Sequence, residues 1–560
     1  MASLLLFSNN MFVKSYTDIQ MNIKQVEQSF QTDQDGKCST ASHGMVATAF
    51  PEATYAGVEM LRRGGNAVDA ACASALALCV CEPQASGLGG HTMVMLCLGG
   101  KYLFLNGSGR IPAHLNADTL EAGDLESGYR ATTVPTTLAV LDYMNRHFGA
   151  LKWSDLFGPA IAIARDGYRI TQLQHTLQKR TLDIFHQSSS EIGRSYFLKN
   201  GATPYKPGDL FRQSDLSLVL GKLAKEGVRE FYKGDIAHAI TADMAEHQGF
   251  LNLEDLARIP WPVEVTPLIL HQKGVTIHVP PPPSPGRGLL IMLEIVDRVI
   301  NTKTHQHLPK EVILAEIIRT TLMDLAGSPV QPEQYTSKHD PMLDASYLDR
   351  VSKTLLKKEH PGNTSGIPIP QGGETTHLSV MDKHGNSVGL TQSINLVYGA
   401  KAAARGLGFL YNNYLVDCNR NDPLHPHFLK PSGIPVSMVC PTIISHNHRP
   451  WVVTGSPGSD RILSTVFQFL YHVIHSNRSI DIAMASPRLH CPPSGRLMIE
   501  NERFAPEIIE ALKNFQYEFD WHDPWSFYHG AIHTVLMRHD GKGFQGVAEI
   551  RRDGIASGVD

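Results

Sequence analysis

The sequence predicts an α/β protein with packed sheets, and three stretches carry that reading. Residues 67–81 are apolar nearly all round a helix, a pattern that belongs to a buried helix. Residues 375–381 and 387–394 alternate in polarity, and the turn Asp382-Lys383-His384-Gly385-Asn386 joins them into a β-hairpin. The apolar strand Trp451–Thr454 then passes through a Gly-containing turn into a helix from about Ser459 to His475.

The elements follow in order. Residues 1 to about 43 are polar and unpatterned, rich in Gln, Asp and Ser, and read as a poorly ordered lead-in. Structure is expected to start near Gly44, where Gly44–Phe50 reads as a short strand. Pro51 and Glu52 open a helix with Ala56, Met60 and Arg63 on one face, and Gly64-Gly65-Asn66 stops it. The buried helix Ala67–Cys81 ends at Pro83, and Ser86–Gly90 turns into the strand Thr92–Leu98. From about 130 to 360 the pattern is mostly helical, without an internal repeat. Its landmark is Pro280–Pro283, stiff and extended, leading into the helix Gly288–Val299. Pro361–Gly373 (PGNTSGIPIPQGG) marks a linker or boundary, and Gly408–Asn412 reads as a further strand.

Length and charge narrow the function. A chain of 560 residues with 42% hydrophobic and 19% charged residues has enough core for one large layered domain or several. That composition excludes disordered, collagen-like and fibrous classes. Lys+Arg 50 against Asp+Glu 54 leaves a net charge of −4, with no basic excess to bind nucleic acid. The longest apolar run, about Ala70–Cys81, falls short of the ~20 residues of a membrane span. The start MASLLLFSNN has no basic residue before its apolar patch and no small-residue cleavage site after it, so no secretory signal is expected. The Cys residues lack a CxxC, and Cys72, Cys79 and Cys81 read as core thiols. A reduced, cytoplasmic protein is expected, although sequons at Asn106, Asn363 and Asn477 point mildly the other way. HxH pairs at 305/307, 425/427 and 446/448 have no second pair at ligand spacing, so neither metal nor cofactor is expected. G-x-S-x-G and H-E-x-x-H are both absent.

Two local features carry chemistry. Thr375, between the linker and a strand, reads either as plain β-propensity or as an N-terminal nucleophile. A threonine hydroxyl is a weak nucleophile unless a base lies beside it. A cut between Glu374 and Thr375 would create that base, the new α-amine, whose pKa is roughly 7.7–8.0. The second feature is Thr454-Gly455-Ser456-Pro457-Gly458-Ser459-Asp460-Arg461, between a strand and a helix. Backbone N–H groups at such a start favour negative charge, as a phosphate loop or as an oxyanion hole from the amides of Gly458 and Ser459. The phosphate reading lacks the G-K-[ST] ending, and a plain turn remains the third alternative.

From Gly44 to Gly558 the sequence resembles the γ-glutamyltransferase (glutathione hydrolase) family of N-terminal nucleophile hydrolases. Its carriers are GMVATAFPEATYAGVEMLRRGGNAVDAA (44–71), EPQASGLGG (82–90), PPPPSPGRG (280–288), TTHLSVMDKHGN (375–386), TQSINLVYG (391–399), GFLYNNYLVD (408–417), PTI (441–443), GSPGSDRI (455–462), ASPRLH (485–490) and RRDG (551–554). The resemblance implies a four-layer αββα sandwich. It implies a proenzyme that cuts itself between Glu374 and Thr375 into a large subunit, 44–374, and a small one, 375–560, that stay together. Thr375 Oγ then attacks a γ-glutamyl amide, and water or an amine resolves the acyl-enzyme. Position by position, Gly458 matches the oxyanion hole and Ser459 stands where a second glycine is usual. Ser393 matches a supporting Thr. Asn395 and Asp417 match residues that hold the donor, the Asp through its α-amino group.

The departures concern the donor's α-carboxylate. An Arg-Glu pair usual in the family aligns with Ser108-Gly109, and Arg110 stands two places after Ser108 as a candidate replacement. A usual Ser-Ser pair is Ser437-Met438, and Tyr414 stands where Gln or Asn is usual. Loss of a two-pronged Arg weakens carboxylate binding. The expected partner is a small γ-glutamyl amide. The alternatives are another small-acid amide, oxamate-like or N-acyl, and an uncut, non-catalytic binding scaffold.

Overall fold

The computed structural model describes residues 20–560 except Ser189, Asn301, Lys303, Thr304, Gln306 and 357–372. Two antiparallel sheets of seven strands lie face to face. In the first, strands run in the order Cys38–Ala41, Phe544–Val547, His533–Met537, Arg449–Gly455, Thr442–His446, Val275–Val279, Leu268–Gln272. In the second the order is Ala556–Val559, Gly44–Thr48, Thr376–Asp382, Ser387–Ser393, His91–Leu98, Lys101–Asn106, Val263–Val265. Strand His91–Leu98 shows the layering in its own side chains. Val94 and Leu96 join the core under the helices 51–62, 67–81 and 137–148, while Met93, Met95 and Cys97 join the core between the sheets. Both faces are buried, so the strand reads as one apolar run. Helices Gly286–Val299 and Arg461–Leu470 cover the outer face of the first sheet. The four-layer αββα sandwich is therefore the observed fold.

Helix Ala67–Cys81 keeps the predicted bounds, and all its residues are buried. Asn66 accepts from the amides of Val68 and Asp69, and Asp69 returns a bond to Asn66 N–H, so the buried helix start leaves few donors unpaired. The predicted hairpin is present as Thr376–Asp382 paired with Ser387–Ser393, in register from Thr376–Gln392 to Met381–Ser387.

Three expectations need correction. Structure does not start at Gly44: Ile23–Gln28 is a helix, and Cys38–Ala41 pairs with Phe544–Val547 at a sheet edge. Polar composition misled because its key acid is used inside. Buried Glu27 accepts from Trp451 Nε1 at 3.2 Å and from His539 N at 2.8 Å. Residues 1–19 lie outside the described residues, as does most of the stretch 361–373. Gly408–Asn412 is a buried loop, not a strand. Tyr411 exchanges backbone bonds with Ala400 and Ala402, and meets the second sheet's neighbourhood only through a bridge to Gly89. The helix expected from Ser459 begins at Arg461, and its last turn, Tyr471–His475, is a π-turn. No helix among the described residues is long and apolar enough to cross a membrane.

Glu27→Ala leaves the buried Trp451 indole N–H without its acceptor and removes that of the His539 amide, and is expected to cost about 1–3 kcal/mol. A fall in the urea unfolding midpoint checks this, and an unchanged midpoint would return residues 20–43 to the status of a loose lead-in.

Candidate active site

The hairpin register builds the centre of the site. One step beyond the Thr376–Gln392 pair, Thr375 and Ser393 stand side by side. Thr375 Oγ1 donates to Ser393 Oγ at 3.2 Å, and Asn395 N–H donates to the same oxygen at 2.8 Å. With two donors aimed at it, the Ser393 hydroxyl directs its own proton to the Glu374 carbonyl, at 2.8 Å. Thr375 is 4% exposed. Glu374 N–H donates to Asn395 O at 2.8 Å, and Gly373 pairs with Leu396, so the residues before the bond extend the strand system.

The Glu374 carboxylate is buried against Arg552, with Nη2 2.9 Å from Oε1 and Nη1 3.1 Å from Oε2. Glu82, the residue after the buried helix, belongs to the same cluster. Burial pushes its pKa up to about 8; the nearby Thr376 hydroxyl opposes this, Glu374 adds to it and Arg552 opposes it. Sequence reading missed Glu82 and Arg552, although both stand in quoted blocks, EPQASGLGG and RRDG. An acid closing an apolar helix was the available signal.

The turn after strand Arg449–Gly455 has the geometry of an anion hole. Gly458 has φ +125°, closed to side chains, and an added Cβ would lie 3.3 Å from Gly530 Cα. Ser459 is left-handed at φ 54° and its Cβ lies 3.0 Å from the place a Gly373 Cβ would take. Neither amide donates to another group among the described residues. Asp460 follows, also unforeseen. Burial works against its charge, but Arg461, 2.7 Å away, and His490 hold its carboxyl well below the usual range.

Asn395, at φ 81°, bonds the Asp417 carboxyl. Burial pushes Asp417 up to about 6, with the Asn395 bond opposing and Asp460 adding. Tyr414 stacks on His91 at 4.0 Å between ring centroids, and its hydroxyl reaches Ser393. Burial lowers the His91 pKa to about 3, so this ring is neutral. Ser437, Ser459 and Asp460 line a cavity of about 280 Å3 together with Arg287, His425 and His427, and the rest of its wall is mostly apolar, with Leu322, Leu325, Met438 and Leu463.

Arg110 is not brought to this centre. It lies at the surface, paired with Glu333 at 3.0 Å and with the Ser432 carbonyl at 3.4 Å. Nor can Gly109 carry an acid in place, because a Cβ there would lie 2.0 Å from His91 Nε2.

A sandwich with a Thr at the head of a central strand and a free-amide turn beside it is the architecture of N-terminal nucleophile hydrolases. The chain belongs to the gamma-glutamyltranspeptidase family, which it matches over residues 53–559. It is 28% identical to the "Glutathione hydrolase proenzyme" of Escherichia coli (strain K12) over 499 residues, 84% of this chain and 85% of that protein. It is also 28% identical to the "Acylase ACY 1 proenzyme" of Pseudomonas sp. (strain V22) over 491 residues, 84% and 86% of the two chains. Among solved structures, the cephalosporin acylase from Bacillus halodurans superposes with a TM-score of 0.83 at 23% identity. It covers 99% of this chain and 100% of that one, a likeness of fold.

Two outcomes are expected. Gly458→Ala distorts the amide turn and lowers kcat for amide hydrolysis about 10²–10³-fold, read on self-cut protein. A carboxylate pairs with an ammonium only when ionised, so a donor amino group on Asp417 would require the ionised form. KM for an amino-bearing donor therefore rises as pH falls below about 6, and Asp417→Asn removes that dependence. A KM flat down to pH 5 would contradict it.

Proposed function

We propose that the chain is a self-cutting N-terminal threonine hydrolase and transferase of γ-glutamyl amides. The observation that carries the reading is the line from Thr375 Oγ through Ser393 to the Glu374 carbonyl. Ser393 polarises the carbonyl next to the hydroxyl that attacks it. In self-cutting, Thr375 Oγ bonds to the Glu374 carbonyl carbon, the C–N bond breaks, and the nitrogen takes the hydroxyl proton. Water then hydrolyses the ester, leaving a Glu374 carboxylate and a free Thr375 α-amine.

In turnover the α-amine takes the Thr375 Oγ proton as the oxygen attacks the donor's γ-carbonyl. The Gly458 and Ser459 amides receive the oxyanion, and the departing amine takes the proton. Water or an acceptor amine releases the acyl group. Asp417, oriented by Asn395, takes the donor's α-ammonium, and Ser437 offers a hydroxyl to its α-carboxylate. The pieces 44–374 and 375–560 remain together because strand Thr376–Asp382 pairs with Gly44–Thr48 of the larger piece. Eight buried, free thiols fit a reducing, cytoplasmic setting.

The second reading is an acylase of apolar N-acyl compounds. The apolar cavity on Ser437 and Ser459 favours it, as does the absence of an Arg at position 108.

The test is release of a coloured amine from a γ-glutamyl anilide by fully cut protein. Release is expected, with Thr375→Ala uncut and at least about 10³-fold slower. No release from cut protein would overturn the γ-glutamyl reading, and release from an apolar N-acyl anilide instead would establish the second.

A further inference from the structure

The residue before the scissile bond has the shape of a donor. From the Glu374 carbonyl carbon, beside Thr375 Oγ, the chain runs through Cα, Cβ and Cγ to a carboxylate. A γ-glutamyl donor has the same span, counted from its γ-carbonyl carbon back to its α-carboxylate. In the uncut chain Arg552 grips that carboxylate with two nitrogens, at 2.9 and 3.1 Å, and the Thr375 N–H adds a third donor at 3.3 Å. The guanidinium is fixed from behind. It lies 5.3 Å from the Phe527 ring centroid and donates to the Phe527 carbonyl at 3.4 Å.

Hydrolysis of the Glu374–Thr375 bond turns Glu374 into a chain end, no longer tethered beside the nucleophile. Where that end withdraws, Arg552, 5% exposed, loses the carboxylate it grips. An unpaired buried charge is costly, so the vacated place attracts a carboxylate. Two further observations mark it as a place for a polar ligand. Arg552 Nε and Glu82 Oε2 are both buried without a hydrogen-bond partner among the described residues. A cavity of about 310 Å3, lined in part by Leu396, Phe527 and Arg461, shares Phe527 with the Arg552 contact. Leu396 pairs with Gly373 and Phe527 packs on Arg552, so two of the cavity's lining residues adjoin the clamp.

We infer that Arg552 binds the carboxylate of the acyl donor, and that Glu374 holds its place in the uncut chain. Arg552 thus supplies the charge that Ser108-Gly109 lack. The donor is a five-carbon acyl group ending in a carboxylate, γ-glutamyl or glutaryl. This assignment rests on Thr375 as the nucleophile.

The test compares two anilides on self-cut enzyme, γ-glutamyl and 4-aminobutanoyl, which differ only in the α-carboxylate. Arg552→Lys keeps a charge and loses the two-pronged grip. The expected result is a KM for the γ-glutamyl anilide raised about ten-fold, with the kcat/KM ratio between the donors falling about as far. Equal losses on both donors, or no loss on either, would overturn the assignment, because a merely structural Arg552 does not discriminate between them. A second measurement stands whether or not Arg552→Lys cuts itself. Calorimetry on cut wild-type protein compares the peptide Gln-Gly-Gly-Glu, the chain's own 371–374, with Gln-Gly-Gly-Gln. The Glu peptide is expected to bind about ten-fold tighter or better, and equal affinities would overturn the proposal. Cut enzyme that turns over neither anilide defeats the γ-glutamyl reading, while the peptide comparison still decides Arg552.

Discussion

A hairpin in register at the middle of a two-sheet sandwich is the constraint on which the site depends. The pairing of Thr376 with Gln392 leaves Thr375 and Ser393 adjacent at one strand end. Slipping the register by one residue would turn every side chain of the strand to the opposite face. The strand cannot slip, because Leu378 and Val380 are buried under the helices while Met381 is buried between the sheets. The core thus fixes the distance between Thr375 and Ser393, and the proposed chemistry uses a position already determined by burial.

Electrostatics then divides the acids around that centre. Glu82 is pushed up by burial and Asp417 sits near 6, while Asp460 is held ionised by Arg461 and His490. Glu374 is matched by Arg552. One neutral acid, one poised acid and two paired ones keep the buried site close to balanced until the chain is cut. The proposed cut would change the balance by creating an amine at Thr375 and releasing Glu374 from its place beside Arg552. Self-cutting and donor binding are in this account consecutive uses of the same charges.

Much of this was legible in the sequence, for reasons tied to particular residues. The helix 67–81 was readable because nearly every residue in it, Asp69 apart, is apolar or small, the pattern of a buried helix. The hairpin was readable because a polar turn separates two alternating runs. Thr375, Ser393, Asn395 and Gly458 lie in local blocks, and the fold brings them together or beside one another. What escaped depended on distant partners. Glu27 looks like a lead-in acid until Trp451 and His539 meet it across the fold. Arg110 looks like a replacement clamp until Glu333 takes it to the surface. Arg552 is 178 residues from Glu374, and no local pattern links them. Phe409, Leu410 and Tyr411 are apolar because they are buried, not because they form a strand.

The central claim is that Thr375 becomes a chain start and works from there. The most direct measurement is a denaturing gel of fresh protein, with N-terminal sequencing of the smaller band. Cutting before Thr375 divides the 61.6 kDa chain into bands of roughly 41 and 20 kDa, since the amine base exists only after the cut. The account predicts a smaller band beginning Thr-Thr-His. A single uncut band, unchanged in Thr375→Ala, would contradict it.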